Sequence, residues 1–242
     1  MNRGLAMHLV LIPGFMTDAS LWDDVLPDLH RLGSVTHGNV SRAESISEMG
    51  QQVLLTAPER FVLIGFSMGG YVARDVARRA PNRVQALVLI ASSARADTPG
   101  QARQKALAVR TVDPHRFTGL SQSAVRSSLH PDRASDTAMI ERVRVMSKRV
   151  GGAVFVQQAA QTRESDLNQL AAIQCPTLVI AAEEDGLRSL DEARELQAAI
   201  SGATLTLIEG SGHMIPIEQP AQLTAAVVPW LRGRAIPTNR TL

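Results

Sequence analysis

This 242-residue chain has one cysteine, few aromatic residues and a net charge of only +2. Its single cysteine, Cys175, cannot form an internal disulfide, so nothing argues for an oxidising compartment. Cys175 directly precedes Pro176 and a predicted strand, which favours a packing role over a catalytic thiol. The 25 basic and 23 acidic residues are spread along the chain, and only 3% of residues are aromatic. This composition argues against a nucleic-acid partner.

Long apolar runs are also absent from the sequence. No run approaches the roughly 20 residues that a membrane-spanning helix requires, so we expect no membrane partner. An apolar stretch follows Arg3, but His8 interrupts it and no A-x-A-like site closes it, which disfavours a signal peptide. We therefore expect a cytoplasmic protein whose partner is a small molecule. The sequence does not indicate an oligomeric state.

Strand and helix patterns alternate along most of the chain. Strands are predicted at residues 7–12, 35–40, 61–64, 84–91, 177–181 and 204–208, and helices at 20–29, 46–55, 190–200 and 222–231. Such alternation is typical of a parallel sheet with helices on both faces. The predicted fold class is therefore α/β, with a doubly wound, mostly parallel sheet of about six strands.

Residues 94–166 interrupt this alternation. They show no strand pattern, and prolines and glycines separate short helical segments. We predict that they form a helical cap on a core made of residues 1–93 and 167–242. Four apolar residues of the cap are candidates for substrate binding, although packing is the commoner role of apolar residues at helical spacing: Phe117, Met139, Met146 and Phe155.

One serine is bracketed by glycines at the end of a predicted strand. Ser67 lies in the G-x-S-x-G segment of residues 65–69, directly before a predicted helix. A sharp strand-to-helix turn of this kind lifts the serine Oγ above the sheet. Side chains at Gly65 and Gly69 would collide with the neighbouring strand or helix. The segment predicts Ser67 as a nucleophile.

A serine nucleophile needs a base, and the base needs an orienting acid. Among the six histidines, His213 has the best context because it lies in a glycine-rich loop after the last predicted strand. Asp185 follows the fifth predicted strand and falls at the same edge of the sheet. Its rivals, Glu184 and Asp191, are more simply interpreted as a loop charge and a helix-dipole partner. The order Ser67, Asp185, His213 is the order that enzymes with this serine turn use.

Acyl transfer also requires amide donors that stabilise the oxyanion of the transition state. We expect one donor to be the backbone N–H of Met68, which follows the nucleophile. The other should be the N–H of Phe15, in the loop after the first strand. The side chains of Phe15 and Met68 would then line the pocket mouth and contact substrate.

Four segments resemble the α/β-hydrolase superfamily, in particular its small capped esterases and related lactone, thioester and carbon–carbon bond hydrolases. They are residues 11–15 with Trp22, residues 65–70, residues 176–180 leading to Asp185, and residues 210–213. The resemblance covers about residues 7–231. It implies a helical cap and no cofactor, and we expect no metal.

The chain departs from the family pattern at two places. Pro13-Gly14 stands where many members carry His-Gly, which leaves the Phe15 amide in place but changes how the loop is anchored. The N-terminal hairpin of the family is expected to be missing. Members with an aspartate nucleophile, the haloalkane dehalogenases and epoxide hydrolases, are disfavoured because position 67 is serine.

The predicted function is that of a serine esterase that cleaves small, mainly apolar carboxylic esters through an acyl-enzyme. A lactonase, a thioesterase, a carbon–carbon bond hydrolase or a cofactor-free perhydrolase with the same triad remains an alternative. The same fold can also serve as a ligand receptor, since fold alone does not determine function. An intact serine, base and acid favour the enzyme.

Overall fold

The computed structural model describes residues 7–234 of the chain. Six strands form one parallel sheet in the order β2-β1-β3-β4-β5-β6. The strands are β1 (Met7–Ile12), β2 (Gly33–His37), β3 (Phe61–Phe66), β4 (Val84–Ile90), β5 (Thr177–Ala182) and β6 (Thr204–Ile208). The prediction of a six-stranded parallel α/β fold is confirmed. The second strand lies earlier than the predicted residues 35–40, because β2 pairs with β1 from Gly33 to His37.

The centre of the sheet is packed on both faces. Successive side chains of β3 alternate between two apolar clusters: Val62 and Ile64 belong to one, and Phe61 and Leu63 belong to the other. This alternation follows from the two-residue period of a strand. All six residues of β3 are buried, so the strand that leads to Ser67 is held from both sides.

Ten α-helices are assigned within the described residues. They are α1 (Leu26–Leu29), α2 (Ile46–Thr56), α3 (Met68–Arg79), α4 (Pro99–Thr111), α5 (Gln122–Arg126), α6 (Thr137–Val150), α7 (Gly152–Ala160), α8 (Leu190–Ala199), α9 (Ile215–Glu218) and α10 (Pro220–Arg232). The predicted helix of residues 20–29 is instead a 3-10 turn, Ala19–Trp22, followed by α1. Asp18 caps that turn by accepting from the Ser20 amide.

The segment between β4 and β5 contains α4 to α7 and, within the described structure, no strand. Its two ends meet, since the Asp166 amide donates to the Ala94 carbonyl at 3.1 Å. Helix α6 packs Ile140, Val143 and Met146 into the same apolar cluster as one face of the sheet. Across residues 7–234, no helix combines the length and the apolar character needed to cross a membrane.

Candidate active site

Ser67 occupies a strained turn between β3 and α3. Its backbone has φ 51° and ψ −113°, which is unfavourable for a residue with a side chain. The turn is fixed from both sides. The Ser67 amide donates to the Ile90 carbonyl at 2.8 Å, and the Ser92 hydroxyl donates to the Ser67 carbonyl at 3.0 Å.

The glycines around Ser67 permit this turn because they leave room for the backbone of other segments. A Cβ at Gly65 would lie 2.4 Å from the Gly69 carbonyl oxygen. A Cβ at Gly69 would lie 2.4 Å from the Ile12 carbonyl oxygen. Real Cβ atoms do not approach backbone so closely, so both positions require glycine, as the motif predicts.

Ser67, His213 and Asp185 form one hydrogen-bonded chain. The Nε2 atom of His213 is 2.9 Å from the Ser67 Oγ, and its Nδ1 atom is 2.8 Å from the Asp185 Oδ2. The His213 and Asp185 side chains are buried, with 6% and 1% of their surface exposed. The three residues singled out from the sequence are therefore brought together in hydrogen-bonding order.

Asp185 is held in place by the loop that follows it. Its Oδ1 atom accepts from the amides of Leu187 at 2.8 Å and Arg188 at 2.9 Å, leaving Oδ2 for the histidine. The rival carboxylates lie elsewhere. Glu184 is exposed, and Asp191 makes a surface ion pair with Arg194 on α8.

The loop that carries His213 is clamped by the helical segment between β4 and β5. The His213 amide donates to the Ser128 carbonyl at 2.8 Å, and a Cβ at Gly212 would lie 2.4 Å from the His130 amide nitrogen. The buried Glu218 carboxylate accepts from that same His130 amide at 2.7 Å. Neither Ser128 nor Glu218 was predicted from the sequence. The one available signal was Gly212, a glycine next to the catalytic candidate.

The loop after β1 is anchored by a threonine and by a glutamine of α7. The Gly14 amide donates to the Thr17 hydroxyl at 2.8 Å, and the Met16 amide donates to the Gln158 Oε1 at 2.9 Å. Met16 has φ 55°, so the loop turns sharply at this point. The side chains of Thr17 and Gln158 are buried, and neither was predicted from the sequence.

The two amides expected to form the oxyanion hole lie beside the nucleophile. Met68 follows Ser67 directly, and the loop that carries Phe15 contacts Ser67, since a Cβ at Gly14 would lie 3.2 Å from the Ser67 Cβ. Within residues 7–234, neither the Phe15 nor the Met68 amide donates a hydrogen bond. Both N–H groups are therefore available to a ligand.

A cavity of about 340 Å³ opens over Ser67 and His213. Eight of the 19 residues around it are apolar, and several of these come from the segment between β4 and β5. The apolar lining consists of Phe15, Phe66, Leu120, Ala124, Val125, Val143, Leu187 and Met214. The cavity therefore offers an apolar surface next to the hydrogen-bonded chain.

Of the six residues expected to bind substrate, only Phe15 is among those that line this cavity. Met68 and Met146 are fully buried in the two core clusters, and Met139 packs against the cluster that holds Met146. Phe117 and Phe155 stack on each other with ring centroids 5.1 Å apart. The helical spacing of these apolar residues therefore reflects packing. The hydrophobic periodicity of the sequence could not show which face of each helix meets the cavity.

Cys175 lies outside this site and is half-buried. Burial raises the pKa of its thiol to about 11, so the sulfur is protonated at neutral pH. In the part of the chain that the structure describes, no group of three or more histidine, cysteine or acidic residues is arranged to hold a metal ion.

A comparison with known protein families agrees with this geometry. The model of the α/β-hydrolase fold family matches residues 43–220. The chain belongs to the α/β-hydrolase family. The fold and the family resemblance predicted from the sequence are both confirmed.

The curated relatives of this α/β-hydrolase include esterases. The pimeloyl-[acyl-carrier protein] methyl ester esterase of Edwardsiella ictaluri is 30% identical over 250 residues, covering 94% of each chain. The enzyme of the same name from Klebsiella pneumoniae is 32% identical over 202 residues, covering 74% of this chain and 76% of its own. The predicted enzyme class, carboxylic ester hydrolase, is confirmed by these relatives.

Solved structures share the architecture over nearly the whole chain. A thermophilic esterase from Thermogutta terrifontis superposes with a TM-score of 0.79 at 25% identity, covering 95% of this chain and 91% of its own. The enol-lactonase from Burkholderia xenovorans superposes with a TM-score of 0.83 at 22% identity, covering 96% and 94%. The second likeness concerns the fold alone.

Proposed function

We propose that Ser67, His213 and Asp185 act as a catalytic triad and that the enzyme hydrolyses small, mainly apolar carboxylic esters through an acyl-enzyme. The observation that supports this most strongly is the hydrogen-bonded chain of the three side chains, of which Ser67 and His213 line a cavity with an apolar part. A serine hydroxyl is a weak nucleophile on its own and gains reactivity from an adjacent, oriented base.

In the proposed mechanism, the Ser67 Oγ attacks the ester carbonyl carbon while its proton passes to the His213 Nε2. The Asp185 carboxylate accepts from the protonated Nδ1, which keeps the imidazole in the tautomer that can take this proton. Two backbone amides hold Asp185, so it needs no rearrangement during the reaction. His213 then gives the proton to the leaving alcohol, and a water molecule hydrolyses the acyl-enzyme.

The Phe15 and Met68 amides are the proposed oxyanion donors. Negative charge develops on the carbonyl oxygen only in the transition state, so fixed donors that meet it there lower the barrier. One such donor is worth about 3 kcal/mol. The hydrogen bonds of Thr17 and Gln158 to the neighbouring amides fix the loop, so the Phe15 donor is positioned before substrate binds.

The cavity suits a small substrate. Pockets for small molecules commonly enclose about 300–1,000 Å³, and the volume here is about 340 Å³. The curated relatives act on the methyl ester of a carrier-bound acyl chain. We propose methyl and other short alkyl esters of aliphatic acids as the substrate class.

The experiment compares the wild-type enzyme with Ser67→Ala on methyl esters from acetate to octanoate, with lactones and thioesters of matched acyl length. We expect ester hydrolysis in the wild type and a loss of kcat of about 10⁴ to 10⁶-fold in Ser67→Ala. Ser127→Ala is the matched control. Ser127 lines the same cavity, but its hydroxyl donates to the Ala124 carbonyl of its own helix, so we expect a change of only a few fold.

Two results would change the proposal. If lactones or thioesters were hydrolysed faster than every ester, the same triad would act on another class of acyl substrate. Binding of esters without turnover would indicate a ligand receptor.

A further inference from the structure

The cavity over Ser67 is not apolar throughout. Three cationic side chains also line it, namely Lys105, Arg163 and Arg188. We call them the cationic cluster. They come from three separate segments: helix α4, the stretch that precedes β5, and the loop after Asp185.

The members of the cationic cluster are close to one another and largely removed from water. The Lys105 Nζ donates to the Asp97 carboxylate at 2.5 Å, and the Arg163 Nη1 is 3.8 Å from the same carboxylate. Only 21%, 13% and 11% of the Lys105, Arg163 and Arg188 side chains is exposed. Burial lowers the pKa of Lys105 and of Arg163, and the charge of Arg188 lowers both further.

The cationic cluster is only partly neutralised by the carboxylates around it. Asp97 accepts from the Lys105 ammonium and the Arg163 amide, and Glu192 lies 3.4 Å from Arg188. The three cations thus share two carboxylates as side-chain ion-pair partners. A positive charge that is withdrawn from water and not paired is costly, and a bound anion removes that cost.

Hydrogen-bond donors of the two arginines are also unused. The buried Arg188 Nε has no partner in the described structure. The Arg163 guanidinium lies over the Tyr71 ring at 5.4 Å, and it donates no hydrogen bond to any group within residues 7–234. Guanidinium groups bind carboxylates with two parallel hydrogen bonds.

We propose that the cationic cluster binds a carboxylate of the substrate, so that the preferred esters are half-esters of dicarboxylic acids. This inference rests on the proposed function. The ester carbonyl would lie at Ser67, the methylene chain along the apolar lining, and the free carboxylate at Arg163 and Arg188. Because Lys105 and Arg163 share Asp97, the ion pairs of the cluster leave room for the single negative charge of a carboxylate.

The test compares kcat/KM for monomethyl esters of dicarboxylic acids with that for methyl esters of monocarboxylic acids of the same chain length. At neutral pH the second carboxyl group is ionised. A hydrogen bond to a charged group contributes about 1.5–3 kcal/mol. We therefore expect the wild type to prefer the half-ester by at least about tenfold at the chain length that spans the cavity. The diacid product should also inhibit more strongly than the monoacid.

Arg163→Gln and Arg188→Gln should each reduce this preference about tenfold or more, mainly through KM for the half-ester. Arg163→Lys should retain part of the preference for half-esters, because lysine keeps the positive charge but lacks the planar guanidinium group. Arg103→Gln is the matched control: it removes the same charge from helix α4 at an exposed position outside the cavity lining. The preference ratio separates these outcomes from a loss of stability, because both esters are measured on the same folded protein.

Failure of the inference differs from failure of the proposed function. Ser67-dependent hydrolysis of neutral esters without preference for half-esters would overturn the carboxylate site and leave the esterase intact. An equal loss of preference in Arg103→Gln and Arg163→Gln would also overturn it, because the effect would then be one of overall charge. Absence of hydrolysis of either ester would instead contradict the proposed function.

Discussion

The sheet and the helical segment between β4 and β5 are stabilised in different ways. Strands β3 and β5 are buried along their whole length, whereas α4 buries none of its residues and leaves Leu107 60% exposed. Apolar burial, worth about 25 cal/mol per Å², therefore stabilises the sheet throughout its centre, whereas in the helical segment it acts on α5, α6 and α7 and much less on α4. The catalytic candidates Ser67 and Asp185 follow directly from the two buried strands.

Ion pairs connect the helical segment to the core. Asp166 lies 3.0 Å from the Nη2 of Arg74 and 2.7 Å from the Nη1 of Arg78, and Asp18 lies 2.8 Å from the Nε of Arg149. Arg74 is completely buried and Arg149 is about half exposed. The core therefore positions the side chains of Ser67 and Asp185. The helical segment supplies much of the cavity lining above them.

The largest effect is expected at the acid. Asp185→Asn should lower kcat by roughly 10⁴-fold, because the amide favours the histidine tautomer that cannot accept the serine proton. Asp191→Asn, on the exposed surface of α8, should change kcat little. Steady-state kinetics of both variants on one methyl ester measures the difference. A large loss in Asp191→Asn and little change in Asp185→Asn would show that the carboxylate is misassigned.

Breaking the buried ion pair should mainly affect stability. Asp166→Asn leaves the buried Arg74 guanidinium without its carboxylate, a change that typically costs about 3–5 kcal/mol. Asp18→Asn removes the more exposed pair with Arg149 and should cost about 0–1 kcal/mol. Thermal unfolding of both variants measures the difference. Equal melting temperatures would mean that Asp166 is not the main anchor of the segment.

The oxyanion donor should depend on the main chain and not on the side chain. Phe15→Pro removes the N–H and should lower kcat by about 10²-fold or more, since one donor is worth about 3 kcal/mol. Phe15→Leu retains the donor and should keep much of the activity on methyl acetate. Similar losses in the two variants would indicate that the phenyl ring, and not the amide, is required.

The smallest effect is expected in the cavity lining. Leu120→Ala should change the preference for acyl-chain length by about 1–3 kcal/mol while kcat on acetate is retained. Met146→Ala, which is in the core and outside the lining, should lower stability by about 2–5 kcal/mol and leave the chain-length profile unchanged. Kinetics on the methyl ester series and thermal unfolding together check this, and a changed profile in Met146→Ala would contradict the assignment of the lining.

Residues tied to strand ends could be predicted from the sequence. Ser67, His213 and Asp185 each follow a strand pattern within a few residues, and parallel strands bring those ends to one edge. The long-range hydrogen bonds that fix the loops of the site could not be predicted in this way. Gln158 and the Met16 amide are separated by 142 positions, and no local pattern records such a contact.

The lining of the cavity was equally inaccessible to sequence patterns. Helix α6 carries both Val143, which lines the cavity, and Met146, which does not, and both are buried apolar residues at helical spacing. Which of the two meets the cavity depends on how α6 lies on α5 and the sheet. The cationic cluster depends in the same way on three segments that only the folded chain brings together.

Every step of the proposed mechanism depends on Ser67 forming the covalent intermediate. The most direct test is to treat the enzyme with a fluorophosphonate probe and to identify the modified residue by peptide mass spectrometry. We expect modification at Ser67 alone, and a much slower reaction in His213→Ala, because the serine then lacks its base. Modification of Ser92, Ser127 or Ser128 in place of Ser67 would show that Ser67 is not the nucleophile.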